Sequence, residues 1–205
     1  APYQDGAEPG FFRYESADNT GNSQDLIDWA DRTIIGNPNP DYTCGLNLVL
    51  EYKNFDLTAF FYGVYGNDIF NYNRWWLDFW PAFQGQKSKQ LLYRSWTPAR
   101  TNTTIPKASN KANFSTLTVP NSYYIEDGSY IRLKNLQIGY TLPGSFAGKM
   151  FSYARIYIQA VNLRTITKYS GMDPELASFD DNFMGVDEGN LPSPRQFLIG
   201  VNIGF

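Results

Sequence analysis

The richest concentration of aromatic side chains lies in the segment YNRWWLDFWPAF, residues 72–83. Trp75, Trp76 and Trp80 could act as flat platforms for the C–H faces of a sugar, or as anchors in a protein interface. The three- and four-residue spacing of Trp76, Phe79 and Trp80 is also typical of a helix. A short helix that packs its own aromatic side chains is therefore the alternative to a contact with a ligand or a partner.

The residue types that most catalytic and metal sites need are scarce. The chain has no histidine, which is the commonest general base and metal ligand near neutral pH. Its single cysteine, Cys44, allows no internal disulfide and no thiolate metal cluster. The carboxylates lie mainly in stretches typical of exposed loops, such as residues 170–189, and nothing pairs two of them as a glycosidase requires. We therefore predict that the chain is not an enzyme.

The composition favours an all-β protein of the cell exterior or the outer membrane. Aromatic residues make up 17% of the 205 residues, yet the mean hydropathy is only −0.41. The net charge of −3 lacks the basic excess that nucleic-acid binding requires. No apolar run reaches the length of about 18 residues that a transmembrane helix needs. Because the sequence opens without Met or a charged leader, we expect a piece of a longer chain.

Five stretches alternate apolar and polar residues with a period of two, which predicts β-strands. A tight turn at Lys53 and Asn54 joins the first two strands, and the third changes phase near Asn135. That change predicts either a β-bulge or an upper half that stands clear of a membrane. The predicted strands cover residues 41–53, 55–66, 128–142, 152–163 and 195–205.

The connections between the strands alternate between short and long, as in outer-membrane barrels. Residues 1–40 are predicted to be an extracellular loop that leads into the barrel, and residues 67–127 and 164–194 to be long outer loops. Five strands cannot close a barrel, which needs at least about eight. We therefore predict a segment of an antiparallel transmembrane β-barrel, with a soluble β-sandwich as the alternative.

Several stretches resemble the SusC/RagA family of TonB-dependent outer-membrane transporters. They are DRTIIGNPNPDYTCGLNLVLEYKNFDLTAFFYGVYGNDIFN, NSYYIEDGSYIRLKNLQIGYTLP, NLRTITKYSGMDPEL and LPSPRQFLIGVNIGF, and they cover most of residues 31–205 in the family's order. The resemblance implies that the chain contains the last five strands of a barrel of about 22 strands that encloses a plug. It further implies energy supplied by TonB through a region upstream of this sequence, and a SusD-like surface lipoprotein that covers the outer mouth. The implied cargo is an oligosaccharide or a peptide.

Two groups of residues acquire expected roles from this resemblance. Barrel proteins are commonly recognised by their assembly machinery through the last strand, and Gly200, Ile203 and Phe205 match that pattern, although Leu198 departs from it. The alternative role for Phe205 is a lipid-facing position in the aromatic girdle.

A calcium loop is the second role that the resemblance suggests. Many family members carry such a loop where this chain has residues 20–31. In this chain two carboxylate positions of the loop are Thr20 and Gln24, and the position of the turn glycine is Asp25. Only Asp25, Asp28 and Asp31 could still bind calcium. A solvated outer loop is the alternative.

The sequence therefore predicts part of a TonB-dependent outer-membrane importer that works with a SusD-like lid. Trp75, Trp76 and Trp80 would contact the lid or the cargo. Two alternatives remain open. One is a soluble extracellular carbohydrate-binding β domain, and the other is a passive porin-like barrel.

Overall fold

The computed structural model describes residues 3–17, 26–79, 85–116, 119–143, 151–175 and 181–205. No helix in these ranges is long and apolar enough to cross a membrane. The two α-helices are α1 (Tyr72–Asp78) and α2 (Lys89–Arg94). The strands are β1 (Tyr3–Gln4), β2 (Leu26–Ile27), β3 (Tyr42–Tyr52), β4 (Phe55–Tyr65), β5 (Asp68–Asn71), β6 (Ile125–Asp127), β7 (Tyr130–Thr141), β8 (Tyr153–Thr167), β9 (Val186–Asp187) and β10 (Gln196–Gly204).

The chain divides into two compact units. The first contains residues 1–37, 69–126 and 180–189, and the second contains residues 38–68, 127–179 and 190–205. Residues from both predicted long outer loops contribute to the first unit, so these residues are part of a compact fold.

The second unit is built on one antiparallel sheet with the strand order β10-β8-β7-β4-β3. Each long strand pairs with its neighbour along the chain, as expected for a meander. The antiparallel β fold predicted from the sequence is confirmed. Within the described residues the sheet ends at β3 and β10 and does not close into a barrel.

The two faces of this sheet differ in chemistry. One cross-strand row runs through the sheet entirely in aliphatic side chains, and Ile199 at its end is 81% exposed. Its members are Ile199, Ile158, Ile138, Leu57 and Leu50. The next row on the opposite face contains Tyr157, Gly139, Asp56 and Glu51. One face therefore suits an apolar environment and the other suits water or polar groups.

The change of phase in β7 is caused by bulges. Leu133 and Asn135 are consecutive partners of Phe61 and Phe60 on β4, so Lys134 is the extra residue. At the same level, two residues of β8, Asn162 and Leu163, lie opposite the single residue Lys134, and Asn162 has a φ of 53°. The predicted bulge near Asn135 is confirmed.

The strand predicted to end at residue 163 continues to Thr167. Asn162 and Leu163 interrupt the alternation, and the continuation has only Ile166 as an apolar residue among Arg164, Thr165 and Thr167, so it carries little of the periodic signal by which a strand is recognised in the sequence. The connection that follows β8 therefore begins about four residues later than predicted, and its position outside the membrane stays a prediction.

The first unit is held together by a set of aromatic rings. The aromatic cluster is defined here as Phe12, Phe70, Trp75, Phe79, Tyr123 and Tyr124. Tyr124 is fully buried at its centre, and Phe79 packs 6.1 Å from it, measured between ring centroids. Short strands β5, β6 and β9 form a three-stranded sheet with β5 in the middle. The tightly packed rings provide the main hydrophobic contacts among the described residues of this unit.

Candidate functional site

The polar face of the sheet carries an ion pair that crosses a whole strand. Arg155 on β8 donates through Nε and an Nη atom to the two carboxylate oxygens of Asp56 on β4, at 2.9 and 2.5 Å. The strand between them, β7, places Gly139 beneath the pair, and a Cβ at that position would collide with both side chains. Gly139 is thus required for a close approach and not for an unusual backbone conformation.

Further polar residues share this face with the ion pair. Asp56 and Tyr157 are both opposite Gly139. Gln159 donates to the side-chain oxygen of Asn135 at 2.7 Å. The face therefore forms a hydrogen-bonded polar wall, which can contact hydrated or polar material.

A second polar group lies near the far end of β7 and was missed by the sequence reasoning. The Arg132 network is defined here as Arg132, Lys134, Asp173 and Glu175. Arg132 is only 3% exposed, and its guanidinium contacts the Asp173 carboxylate and, at 2.7 Å, Glu175. Lys134 also binds Glu175, at 2.5 Å. The network fixes the segment that follows β8 onto the polar face of the sheet.

The groups around Asp173 stabilise its ionised form. Burial would raise the pKa of Asp173, but hydrogen bonds from Arg132 and from the backbone N–H groups of Glu175 and Ser193 outweigh it. The pKa therefore lies below its ordinary value, so the carboxylate stays ionised at neutral pH. Ser193 contributes its N–H at 2.9 Å, which joins the residues before β10 to the same site.

The Arg132 network also brings two stretches of the sequence into contact. Arg132 and Lys134 lie in NSYYIEDGSYIRLKNLQIGYTLP, and Asp173 and Glu175 lie in NLRTITKYSGMDPEL. Both stretches carry the SusC/RagA resemblance. Their charged residues are partners across about 41 positions of the chain.

In the first unit, a buried carboxylate links helix α1 to the aromatic cluster. Asp78 is 5% exposed and accepts hydrogen bonds from the hydroxyls of Tyr123, at 2.6 Å, and Ser88. Arg74 stacks over the Tyr123 ring at 3.8 Å and lies 3.5 Å from Asp78. Burial, followed by the charge of Asp78, raises the pKa of Tyr123, so this phenol remains a neutral donor.

The structure separates the roles of the predicted tryptophans. Trp75 is half-buried and packs against Tyr72 and Tyr124, at centroid distances of 5.9 and 5.6 Å. Trp76 is exposed and touches Tyr72 edge to face. Trp80 lies outside the described residues. The helix therefore uses Trp75 for its own packing and leaves Trp76 available for another molecule.

The weak calcium candidates have a structural role where they are described. Asp28 and Asp31 form a capping box on the 3₁₀ helix Trp29–Asp31, and Asp31 also accepts the N–H of Ala17 at 2.8 Å. Asp25 lies outside the described residues. Among those that are described, no group of three or more Cys, Asp or Glu could hold a metal ion.

The predicted assembly residues lie in the second half of β10 and directly after it. Gly200 faces the ring of Tyr157, which would collide with a Cβ there. Ile203 is the partner of Ala154, and Phe205 is 92% exposed with its ring 5.5 Å from that of Phe151. Recognition of these residues during assembly remains a prediction.

Comparison with known proteins gives strong similarity over nearly the whole chain. TonB-dependent receptor P3 of Formosa agariphila is 41% identical over 196 residues, which are 92% of this chain and 18% of that protein. TonB-dependent receptor P26 of the same organism is 32% identical over 90% of this chain and 19% of its own length. TonB-dependent receptor SusC of Bacteroides thetaiotaomicron is 25% identical over 90% of this chain and 17% of its own length. No protein-family model matches the sequence.

Solved structures agree with the sequence relatives. The RagAB peptide importer in its open-open state matches 95% of this chain and 20% of its own, with a TM-score of 0.72 and 30% identity. A second structure, of the RagAB peptide transporter, matches 84% of this chain and 18% of its own, with a TM-score of 0.70 and 31% identity. The chain thus spans about a fifth of the length of these proteins.

Together, the two-faced sheet and these matches define the chain as part of a TonB-dependent receptor. Over most of its length it is homologous to the SusC/RagA-type receptors, which confirms the resemblance seen in the sequence. TonB-dependent receptors are outer-membrane proteins, so the predicted location is confirmed as well. They are transporters and not enzymes, in agreement with the prediction that the chain is not catalytic.

Proposed function

We propose that the chain forms part of the wall and outer loops of a TonB-dependent importer. The observation that carries this proposal is the 41% identity to TonB-dependent receptor P3 across 92% of the chain. Residues 1–40, 67–127 and 164–194 would lie on the outer side, and the long strands would cross the membrane. The five strands would be part of a closed barrel of about 22 strands.

The two faces of the sheet support this arrangement. The row from Ile199 to Leu50 would face lipid, where exposed aliphatic side chains are stable. The Asp56–Arg155 pair would face the lumen, where water or the plug can satisfy its remaining hydrogen bonds. The Arg132 network would hold the start of the last long loop against the inner wall near the outer mouth.

The partners and cargo follow from the relatives. RagAB is a peptide importer. By analogy, we infer that this protein works with a SusD-like surface lipoprotein, draws energy from TonB, and imports a peptide or an oligosaccharide. Cargo held between the lid and the barrel would pass inward when the plug is displaced.

Fractionation of the source cells tests the proposal directly. An antibody to the outer loops should detect a protein several times heavier than 23.4 kDa in the outer membrane, together with a lipoprotein partner. Uptake of radiolabelled peptides or oligosaccharides should stop in a strain that lacks TonB. The matched control is the same strain in which a plasmid restores TonB.

Two other results would support the competing functions. A protein of the fragment's own mass in the soluble fraction would support an extracellular carbohydrate-binding β domain. Uptake that persists without TonB would support a passive porin-like barrel. Either result would contradict an energised importer.

The two tryptophans of α1 should respond differently to mutation. Trp75→Ala removes a ring from the aromatic cluster and should destabilise the first unit by about 3 kcal/mol. Trp76→Ala should leave stability nearly unchanged and weaken binding of the lid or the cargo at least about fivefold. Limited proteolysis measures the loss of stability. Co-purification of the lipoprotein and an assay of cargo uptake measure the loss of binding. Unchanged binding and uptake in Trp76→Ala would remove this residue from the interface.

A further inference from the structure

A groove in the first unit is distinct from the aromatic cluster that surrounds Tyr124. The Trp29 groove is defined by Trp29, Arg32, Ile35, Phe114, Val119 and Pro120, which are among its lining residues. Its cavity volume is about 660 Å³. This volume falls in the range of about 300–1,000 Å³ that is typical of small-ligand sites.

A stacked cation lies at one wall of the groove. The guanidinium carbon of Arg32 lies 4.2 Å from the centroid of the Trp29 ring. Phe114 supports that ring edge-on, at a centroid distance of 6.1 Å. Stacking restricts the planar guanidinium while leaving its N–H groups at the edge, from which a carboxylate can be bound bidentately.

The carboxylates of Asp28 and Asp31 do not form an ion pair with Arg32. Asp28 accepts the N–H of Ala30 at 2.7 Å, and Asp31 accepts N–H groups of Asp28 and Ala17. Among the described residues, no carboxylate lies within ion-pair distance of Arg32. The arrangement therefore favours an anionic group supplied by another molecule.

The remaining walls indicate which anion fits. Arg32 covers one face of the Trp29 ring, although the side chain remains more than half exposed. Ile35, Val119 and Pro120 add an aliphatic surface, beside the charged lining residues Arg13, Glu15 and Asp31. Such a surface suits the apolar side chains of a peptide, and the similar RagAB proteins import peptides.

From this geometry we infer that the Trp29 groove binds a short peptide, with a peptide carboxylate on Arg32 and an apolar side chain against Ile35, Val119 and Pro120. The inference rests on the proposed import function and names its cargo class and a contact site. Trp29 acts as a positioning residue, because it orients Arg32.

Peptide binding to the full-length purified transporter tests this site. The probe is N-dansyl-Ala-Leu-Leu, compared as the free acid and as the C-terminal amide. Arg32→Gln should weaken binding of the free acid by about tenfold to a hundredfold, since a hydrogen bond to a charged group is lost. Binding of the amide should change by less than about twofold. Arg94→Gln, at an exposed arginine of the same unit that does not line the groove, is the matched control.

Each alternative outcome has a distinct meaning. Equal weakening of acid and amide by Arg32→Gln would overturn the carboxylate contact, because a structural role affects both ligands alike. If the wild-type protein bound a neutral glucan heptasaccharide but neither peptide, the proposed cargo class would be overturned. TonB-dependent uptake in the same protein would still support the importer. A soluble protein without TonB dependence would instead overturn the proposed function. Trp29→Leu should reproduce part of the Arg32→Gln effect on the free acid alone.

Discussion

Arg132→Met is expected to release the segment after β8 from the polar face of the sheet. Removing one partner of a buried ion pair leaves Asp173 without its main counter-charge and costs about 3–5 kcal/mol. The cost should appear as local opening, because the network joins a loop segment to a strand. Proteinase K cleavage between residues 168 and 195 of the full-length protein should therefore rise by about a hundredfold or more.

Two further variants make this expectation specific. Arg164→Met changes an exposed arginine on β8, opposite Leu133, and should shift stability by less than about 0.5 kcal/mol. Arg132→Met combined with Asp173→Leu removes both buried charges and should recover part of the protection. Heat-modifiable mobility on a gel verifies that each barrel is folded. Equal cleavage rates for Arg132→Met and Arg164→Met would show that the network does not hold the loop.

Gly139→Ala is expected to break the Asp56–Arg155 pair. The added methyl group would occupy the space in which the carboxylate and guanidinium meet, and overpacking of this kind costs about 1–3 kcal/mol. The folded fraction should fall at lower urea concentration than in the wild type. The measurement is the heat-modifiable mobility of the refolded full-length barrel across a urea series.

Gly45→Ala is the matched control for this variant. A Cβ at Gly45 would meet the Phe60 ring at 3.4 Å, an ordinary contact, so little effect is expected. The penalty of Gly139→Ala should also disappear when Asp56 and Arg155 are both alanine, since no side chains remain to collide. A penalty that persists in that background would assign Gly139 a role other than making room for the pair.

Much of the sheet could be predicted because strand alternation is a local property. The apolar positions of β10 and β3 follow a period of two without interruption, and the sequence therefore indicates both faces. The alternation gave no signal beyond Leu163, because the strand continues there mainly with the polar residues Arg164, Thr165 and Thr167. Asn162 and Leu163 lie opposite the bulge residue Lys134 of β7, and a sequence alone does not reveal which residues are partners across strands.

For the candidate sites, too, the sequence shows the residue types but not the contacts between them. The aromatic content of residues 72–80 was visible in the sequence, yet the packing of Trp75 against Tyr124 requires a contact across about 49 residues. Arg132 is an ordinary strand residue in the sequence. Only the fold brings it to Asp173.

The sequence by itself determined the antiparallel strands, their apolar and polar faces, and the family, because these depend on alternation and residue order along the chain. The tertiary structure decided the Asp56–Arg155 pair, the Arg132 network and the Trp29 groove. Each of these requires side chains that are distant in sequence to meet at a few ångströms. Their energies arise from burial and geometry, which depend on the packing of the whole unit and not on local patterns.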